Sequence, residues 1–224
     1  IKAIADLPDE RMHLIRNPVV TADLQAQAAA DCPHPWFAPG QPPVIVAVGG
    51  LRRQKGFDTL IRAFAALRQT RRCHLMILGE GHLRESLARL AAALGVADAV
   101  AMPGFDPRPY PMVARAALFV LASRWEGSPN ALTEALALGT PVVATDCPSG
   151  PREILDGGRV APLVPVDDAP AEAQEELRLQ ERGRAAADID GGQLVRIGGQ
   201  TRALPAPQVE LGDHAPLAAV GQRL

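Results

Sequence analysis

Val44-Ile45-Val46-Ala47-Val48-Gly49-Gly50 sets the architecture. Five consecutive apolar residues closed by two glycines read as a strand buried on both faces. The period then changes. Over residues 58–69, Leu60, Ile61, Phe64, Ala65 and Leu67 recur at helical spacing. His74-Leu75-Met76-Ile77-Leu78 is a second strand run, ended by Gly79-Glu80-Gly81. Leu87, Leu90 and Leu94 mark a helix over 84–94, and Val100-Ala101-Met102 runs into Pro103-Gly104. Residues 112–117 read as a short helix and 118–121 as a strand. Residues 131–138 form a helix stopped by Gly139, and 141–145 a last strand. Strands and helices alternating through short loops predict an α/β fold: a Rossmann-like, doubly wound parallel sheet with helices on both faces.

Three zones follow. Residues 1–43 are a lead-in, with a strand-like run Met12-His13-Leu14-Ile15, then Asn17-Pro18 and a proline-rich stretch over 33–43. Residues 44–165 hold the alternating part. Residues 166–224 are a tail without an aromatic residue. A short helix over 171–184 is its one regular feature. Gly191-Gly192, Gly198-Gly199, Pro205 and Pro207 break anything longer.

The chain has 224 residues, 47% hydrophobic and 21% charged, with a net charge of −2. That balance is globular and carries no basic field for nucleic acid. Cys32, Cys73 and Cys147 are odd in number and far apart, which gives neither a disulfide framework nor a zinc site and points to a reducing cytoplasm. The five histidines lack ligand spacing, so no metal is expected. No apolar run reaches the roughly 18 residues that span a bilayer. A first residue of Ile1 is expected of a fragment. Only Lys2 and Lys55 are lysines, against a background of arginine.

Ligands of doubly wound sheets bind beyond the carboxyl ends of the strands. Gly49-Gly50-Leu51-Arg52-Arg53-Gln54-Lys55-Gly56 is the first such loop. Its glycines admit close backbone approach and its cations can neutralise phosphate, although a plain turn with solvated arginines has the same pattern. It matches neither a Walker loop nor a dinucleotide fingerprint. Ser123-Arg124-Trp125-Glu126-Gly127-Ser128-Pro129-Asn130-Ala131-Leu132-Thr133-Glu134 says more. Pro129 opens a helix, and the backbone N–H groups of Asn130, Ala131 and Leu132 form an anion cradle. Glu126 and Glu134 flank it, as suits a diphosphate with hydroxylated groups on both sides. The plainer reading is a dipole charge at Glu126 and a solvated Glu134.

These residues, continuing through Glu134-Ala135-Leu136-Ala137-Leu138-Gly139-Thr140-Pro141, resemble the E-x7-E region of the retaining GT-B glycosyltransferases, family 4, also called glycosyl transferases group 1. Lys55-Gly56 with Gly49 resembles that family's phosphate loop. Leu78-Gly79-Glu80-Gly81, Pro103-Gly104-Phe105, Cys147-Pro148-Ser149-Gly150-Pro151-Arg152-Glu153 and the earlier Asn17-Pro18 follow in family order. The resemblance spans about residues 10–165.

It implies the C-terminal, donor-binding half of a two-domain fold. By that likeness Lys55 holds the diphosphate and Glu126 the donor sugar. Glu134 holds the ribose, and the amides of Asn130, Ala131 and Leu132 take phosphate. Gly49, Gly50, Arg52, Arg53 and Gly79 line the donor, and Phe105 lies near the base. The donor is a nucleotide-diphosphate sugar, with UDP-sugar favoured and no tightly bound cofactor. The acceptor is a glycan or a lipid-linked glycan. Peripheral membrane contact, at the inner face, belongs to the absent N-terminal domain. An epimerase or phosphorylase on the same scaffold, and an inactive donor-binding remnant, are the alternatives.

Two departures stand out. Gly50 replaces an arginine usual in the family, with Arg52 and Arg53 as the nearby substitutes. The tail lacks the family's closing amphipathic helices, for which a shifted reading frame or an unusual terminus would account. Among the other residues, Trp36 and Phe37 read as a plug on the sheet edge, and Cys147 as structural. Trp125 reads as packing either in the core or near the sugar.

Overall fold

The computed structural model describes residues 17–32, 34–187, 194–197 and 200–203. The Met12–Ile15 run, the glycines at 191, 192, 198 and 199, and the prolines at 205 and 207 lie outside the described residues.

Six strands form one parallel sheet: β1 (Val44–Val48), β2 (His74–Leu78), β3 (Val100–Gly104), β4 (Leu118–Leu121), β5 (Val142–Thr145) and β6 (Leu163–Val164). Their order is β3-β2-β1-β4-β5-β6. Register is set by Val44 opposite His74, Ile45 opposite Leu118 and Phe119 opposite Val142. The helices are α1 (Asp23–Ala28), α2 (Phe57–Arg68), α3 (Arg84–Ala93), α4 (Tyr110–Ala114), α5 (Asn130–Ala137), α6 (Pro151–Ile154) and α7 (Ala169–Ala187).

The unbroken apolar runs are explained by two cores. Ile45, Ala47, Leu75, Ile77, Val120 and Val143 face Leu60, Ile61 and Phe64 of α2 and Leu87 and Ala91 of α3. The alternate residues Val44, Val46, Met76, Phe119, Leu121 and Val142 face Met112 and Val113 of α4 and Leu132 and Ala135 of α5. Successive side chains of a strand point to opposite faces, so each must be apolar here.

Four features differ from the sequence reading. The short helix opens at Tyr110, where Pro111 with its fixed φ suits a first helical turn, and ends at Ala114 rather than 117. β6, α6 and α1 were not foreseen; each is six residues or fewer. In the lead-in, Gln25 Nε2 donates to Ala137 O at 2.9 Å and Arg115 Nη1 to Ala28 O at 3.0 Å. The third difference is the plug: Trp36 stacks on His74, the first residue of the interior strand β2, with ring centroids 4.1 Å apart, and so covers an amino end of the sheet rather than an edge strand.

The fourth difference is the tail. It carries a 19-residue helix, α7, longer than the stretch 171–184. Asp168 caps it by accepting from Ala171 N–H at 2.9 Å. Ala171 and Leu179 meet the core of α2 and α3, but Glu172 and Glu176 are also fully buried. Carboxylates at buried positions hid the amphipathic stripe. β7 (Leu194–Ile197) and β8 (Gln200–Ala203) form an antiparallel hairpin.

Candidate active site

The sheet order reverses at β1: one arm runs to β2 and β3, the other to β4, β5 and β6. A crevice forms at such a switch point, beyond the carboxyl ends of β1 and β4. The loops after these two strands are those that carry Lys55 and Glu126.

After β1 the chain makes a tight helical turn over Arg53–Lys55 and leaves it through Gly56, at φ 62° and ψ 22°. The Lys55 side chain folds back over Gly49, where an added Cβ would lie 3.0 Å from Lys55 Cε. Its Nζ reaches Glu126 Oε1 at 2.6 Å. Ser123 Oγ donates to the same oxygen at 2.6 Å. The Glu126 side chain is 6% exposed and that of Lys55 20%, so the pair is largely withdrawn from solvent yet open on the lysine side. Glu126 N–H donates to Pro148 O at 3.2 Å, which ties this loop to the one after β5. Residues 71 apart in sequence thus meet in one ion pair.

α5 begins at Asn130 with Pro129 at its N-cap. One expectation needs correction here. Leu132 N–H donates to Pro129 O at 3.1 Å, so it is engaged within the turn and is not offered to a ligand. The first helical bond simply forms one residue earlier than the sequence reading placed it. Glu134, in the second turn, accepts from the Tyr110 hydroxyl at 3.4 Å. Burial holds the Glu134 carboxyl above its ordinary range, and burial with the neighbouring Glu134 raises Tyr110.

Gly79 has a packing role. A Cβ there would lie 1.9 Å from Gly49 O, so the ends of β1 and β2 touch backbone to backbone. Phe105, just past β3, is 74% exposed. Of the two arginines near Gly50, Arg52 folds across it, its Nε 3.4 Å from where a Cβ would stand. The Arg53 carbonyl is held by Arg124 Nη1 at 2.8 Å. Among the described residues no cluster of three or more His, Cys, Asp or Glu side chains is placed to hold a metal ion. No described helix is long and apolar enough to cross a membrane.

A surface depression adjoins the pair, lined by Gly127, Asp146, Cys147, Pro148, Ser149 and Gly150 among others. A second, lined by Arg62, Arg68, Arg71 and Arg72, sits before β2 at the amino ends of the strands, away from the switch point. Sequence reasoning missed the Ser123, Tyr110 and Arg124 contacts. The partners of Tyr110 and Arg124 are 24 and 66 residues away, whereas Ser123 lies three residues before Glu126, where no residue pattern singles out a hydroxyl; only Arg124's position, the first charge after an apolar strand, marked it.

The family described as Glycosyl transferases group 1 matches residues 42–182. The chain is 40% identical over 124 residues to N-acetylgalactosamine-N,N'-diacetylbacillosaminyl-diphospho-undecaprenol 4-alpha-N-acetylgalactosaminyltransferase of Campylobacter jejuni, covering 55% of this chain and 33% of that protein. It is 36% identical over 155 residues to the lipopolysaccharide core biosynthesis glycosyltransferase LpsE of Rhizobium meliloti, covering 65% and 44%. The solved apo form of the lipopolysaccharide outer core galactosyltransferase WaaB superposes with a TM-score of 0.58 at 27% identity, over 65% of this chain and 42% of that one. The chain therefore spans less than half the length of each of these relatives. With the family match covering well over half of its residues, this chain belongs to the group 1 glycosyltransferases.

Proposed function

We propose that this chain is the C-terminal, donor-binding half of a retaining glycosyltransferase that takes its sugar from a nucleotide-diphosphate sugar, UDP-linked by preference. The observation that carries the reading is the Lys55–Glu126 contact at the switch point. A diphosphate bears more negative charge than one carboxylate, so Lys55 transfers to it when the donor enters. Glu126, relieved of the lysine and still held by Ser123, turns its oxygens to sugar hydroxyls. Glu134 accepts from the ribose, and the first N–H groups of α5, at Asn130 and Ala131, lie on the phosphate side.

The donor's bond between the anomeric carbon and the phosphate oxygen breaks, and the nucleoside diphosphate departs with the electron pair. The acceptor hydroxyl bonds to that carbon on the same face and gives its proton to the departing phosphate oxygen. The chain's part is to stabilise the departing charge with Lys55 and fixed dipoles, and no further cofactor is invoked. The C. jejuni relative acts on a diphospho-undecaprenol-linked sugar and LpsE on lipopolysaccharide core, which supports a glycan or lipid-linked acceptor. The acceptor and any contact with the cytoplasmic membrane face fall to the rest of the enzyme. This chain alone binds nucleotide weakly and transfers nothing.

Titration calorimetry with UDP, GDP and ADP tests the reading. One of the three binds the chain, Lys55→Ala weakens it by about tenfold or more, and Glu134→Ala weakens nucleoside diphosphates but not inorganic pyrophosphate. Absence of binding by all three, or an unchanged Lys55→Ala variant, removes the proposal.

A further inference from the structure

We infer that Arg124 is the positioning residue of this site, fixing the turn that carries Lys55 against the loop that carries Glu126. The inference rests on the donor-site reading and concerns how that site is assembled.

Arg124 joins the two loops at both backbone and side chain. Its N–H donates to Gln54 O at 2.7 Å, and Gln54 Nε2 donates in return to Trp125 O at 3.0 Å. In the guanidinium, Nη1 donates to Arg53 O at 2.8 Å and to Asp58 Oδ1 at 2.9 Å. Nη2 donates to Asp58 Oδ2 at 2.8 Å and lies 2.7 Å from Asp167 Oδ1. Nε donates to Asp167 Oδ2 at 3.0 Å. A guanidinium has five N–H donors, and each has an acceptor here, the second Nη2 hydrogen going to Thr59 Oγ1 at 3.4 Å. Thr59 Oγ1 closes the ring by donating to Asp167 Oδ1 at 2.9 Å.

This is more than a surface ion pair, whose contribution is small. The Arg124 side chain is 15% exposed and engages both carboxylates in forked geometry. Its hydrogen bonds hold the Asp58 and Asp167 carboxyls below their ordinary range. Three segments converge on it: the turn Arg53–Lys55, the first turn of α2, and the chain just beyond β6. Arg53 O is the backbone acceptor two residues before Lys55. Holding it fixes where Lys55 leaves the turn, while Arg124 itself stands two residues before Glu126. Lysine keeps the charge but offers a single nitrogen, which cannot reach all three segments at once. A contact of 2.6 Å between loops 71 residues apart is sensitive to displacements below an ångström.

The near absence of lysine supplies a ligand-free readout. Acetylation of Lys55 by an N-hydroxysuccinimide ester, followed by peptide mass spectrometry and normalised to Lys2, reports release of the amine from Glu126. Glu126→Gln sets the upper rate. Arg124→Lys, still folded by circular dichroism and melting, is expected to label Lys55 about fivefold faster than the unaltered chain. Asp58→Asn, which leaves the Arg53 and Asp167 contacts in place, should fall between the two. A folded Arg124→Lys chain labelled at the unaltered rate overturns the inference. So does Glu126→Gln at that rate. If Arg124→Lys does not fold, Asp58→Asn at the unaltered rate does the same. A parallel arm with UDP separates the two readings: UDP shields Lys55 if the donor site is right, and failure to shield counts against the donor reading while the labelling order still decides the role of Arg124.

Discussion

Gly56→Ala is expected to lower the thermal unfolding midpoint by on the order of 10 °C and to remove nucleoside diphosphate binding. Gly56 sits at φ 62° and ψ 22°, a left-handed conformation that costs an alanine about 1 kcal/mol. The larger penalty is steric. A Cβ would stand 2.0 Å from the carbonyl oxygen of Ala122 and 3.0 Å from its carbon. Both are backbone atoms immediately beyond β4, so no side chain can swing aside. Relief requires the turn carrying Lys55 to move away from the segment leading to Glu126. Stability and the site are therefore lost together, at about 3 kcal/mol or more. Gly127→Ala is the internal control, because a Cβ there meets nothing within 4 Å. It should leave the melting point within about 2 °C of the unaltered chain. Equal melting of the Gly56 and Gly127 variants would show that the close approach at Ala122 is not a feature of the folded protein.

The sheet was readable because strands buried on both faces have no polar alternation to confuse with another period. Val44–Val48, His74–Leu78 and Leu118–Leu121 lie where the apolar runs lie. The helix after Pro129 was readable from its punctuation, but its first bond was not. Whether Leu132 N–H points outward or to Pro129 O depends on a shift of one residue at the cap, which a sequence pattern does not resolve. Lys55 and Glu126 were singled out by their residue types, whereas their direct contact was not legible. It depends on β1 and β4 being neighbours, which is a matter of strand order. The contacts of Arg124 were invisible for a similar reason. Its acceptors Asp58 and Asp167 lie 66 and 43 residues away and look, in sequence, like ordinary solvated acids. Short elements such as Leu163–Val164 carry too few residues to show any period.

The chain should also grow less stable as pH rises from about 6.5 to 8.5, and Glu172→Leu/Glu176→Leu should reverse much of that loss. Both side chains are wholly buried on α7, and none of their four oxygens has a hydrogen-bond partner. They are four residues apart and so share a face, against a cluster that includes Ile61, Phe64 and Leu75. Around Glu172 stand Asp167, Asp168, Asp58 and Arg124, three acids against one base. Glu176 faces Glu172 and lies close to Cys73. Burial, with these acids, pushes the Glu172 carboxyl up to about 8 and Glu176 well above its ordinary range. The sign follows directly. A carboxyl whose folded pKa is raised costs nothing below its unfolded pKa of about 4.3, and stability is lost as pH climbs towards the folded value. The slope is about 1.4 kcal/mol per pH unit for each carboxyl still protonated only in the folded chain. His34 and His74 have pKa values lowered by burial and act in the opposite direction, but below about pH 6.5, so the chosen window excludes them. A drop in melting temperature on the order of 10 °C across the window is expected, with hydrogen exchange over 169–179 quickening first. The double leucine variant should melt higher than the unaltered chain at pH 8, because leucines suit the apolar surroundings that carboxylates do not. A flat melting profile across the window, or a double variant that melts lower at pH 8, would mean that α7 does not bury these two acids against α2.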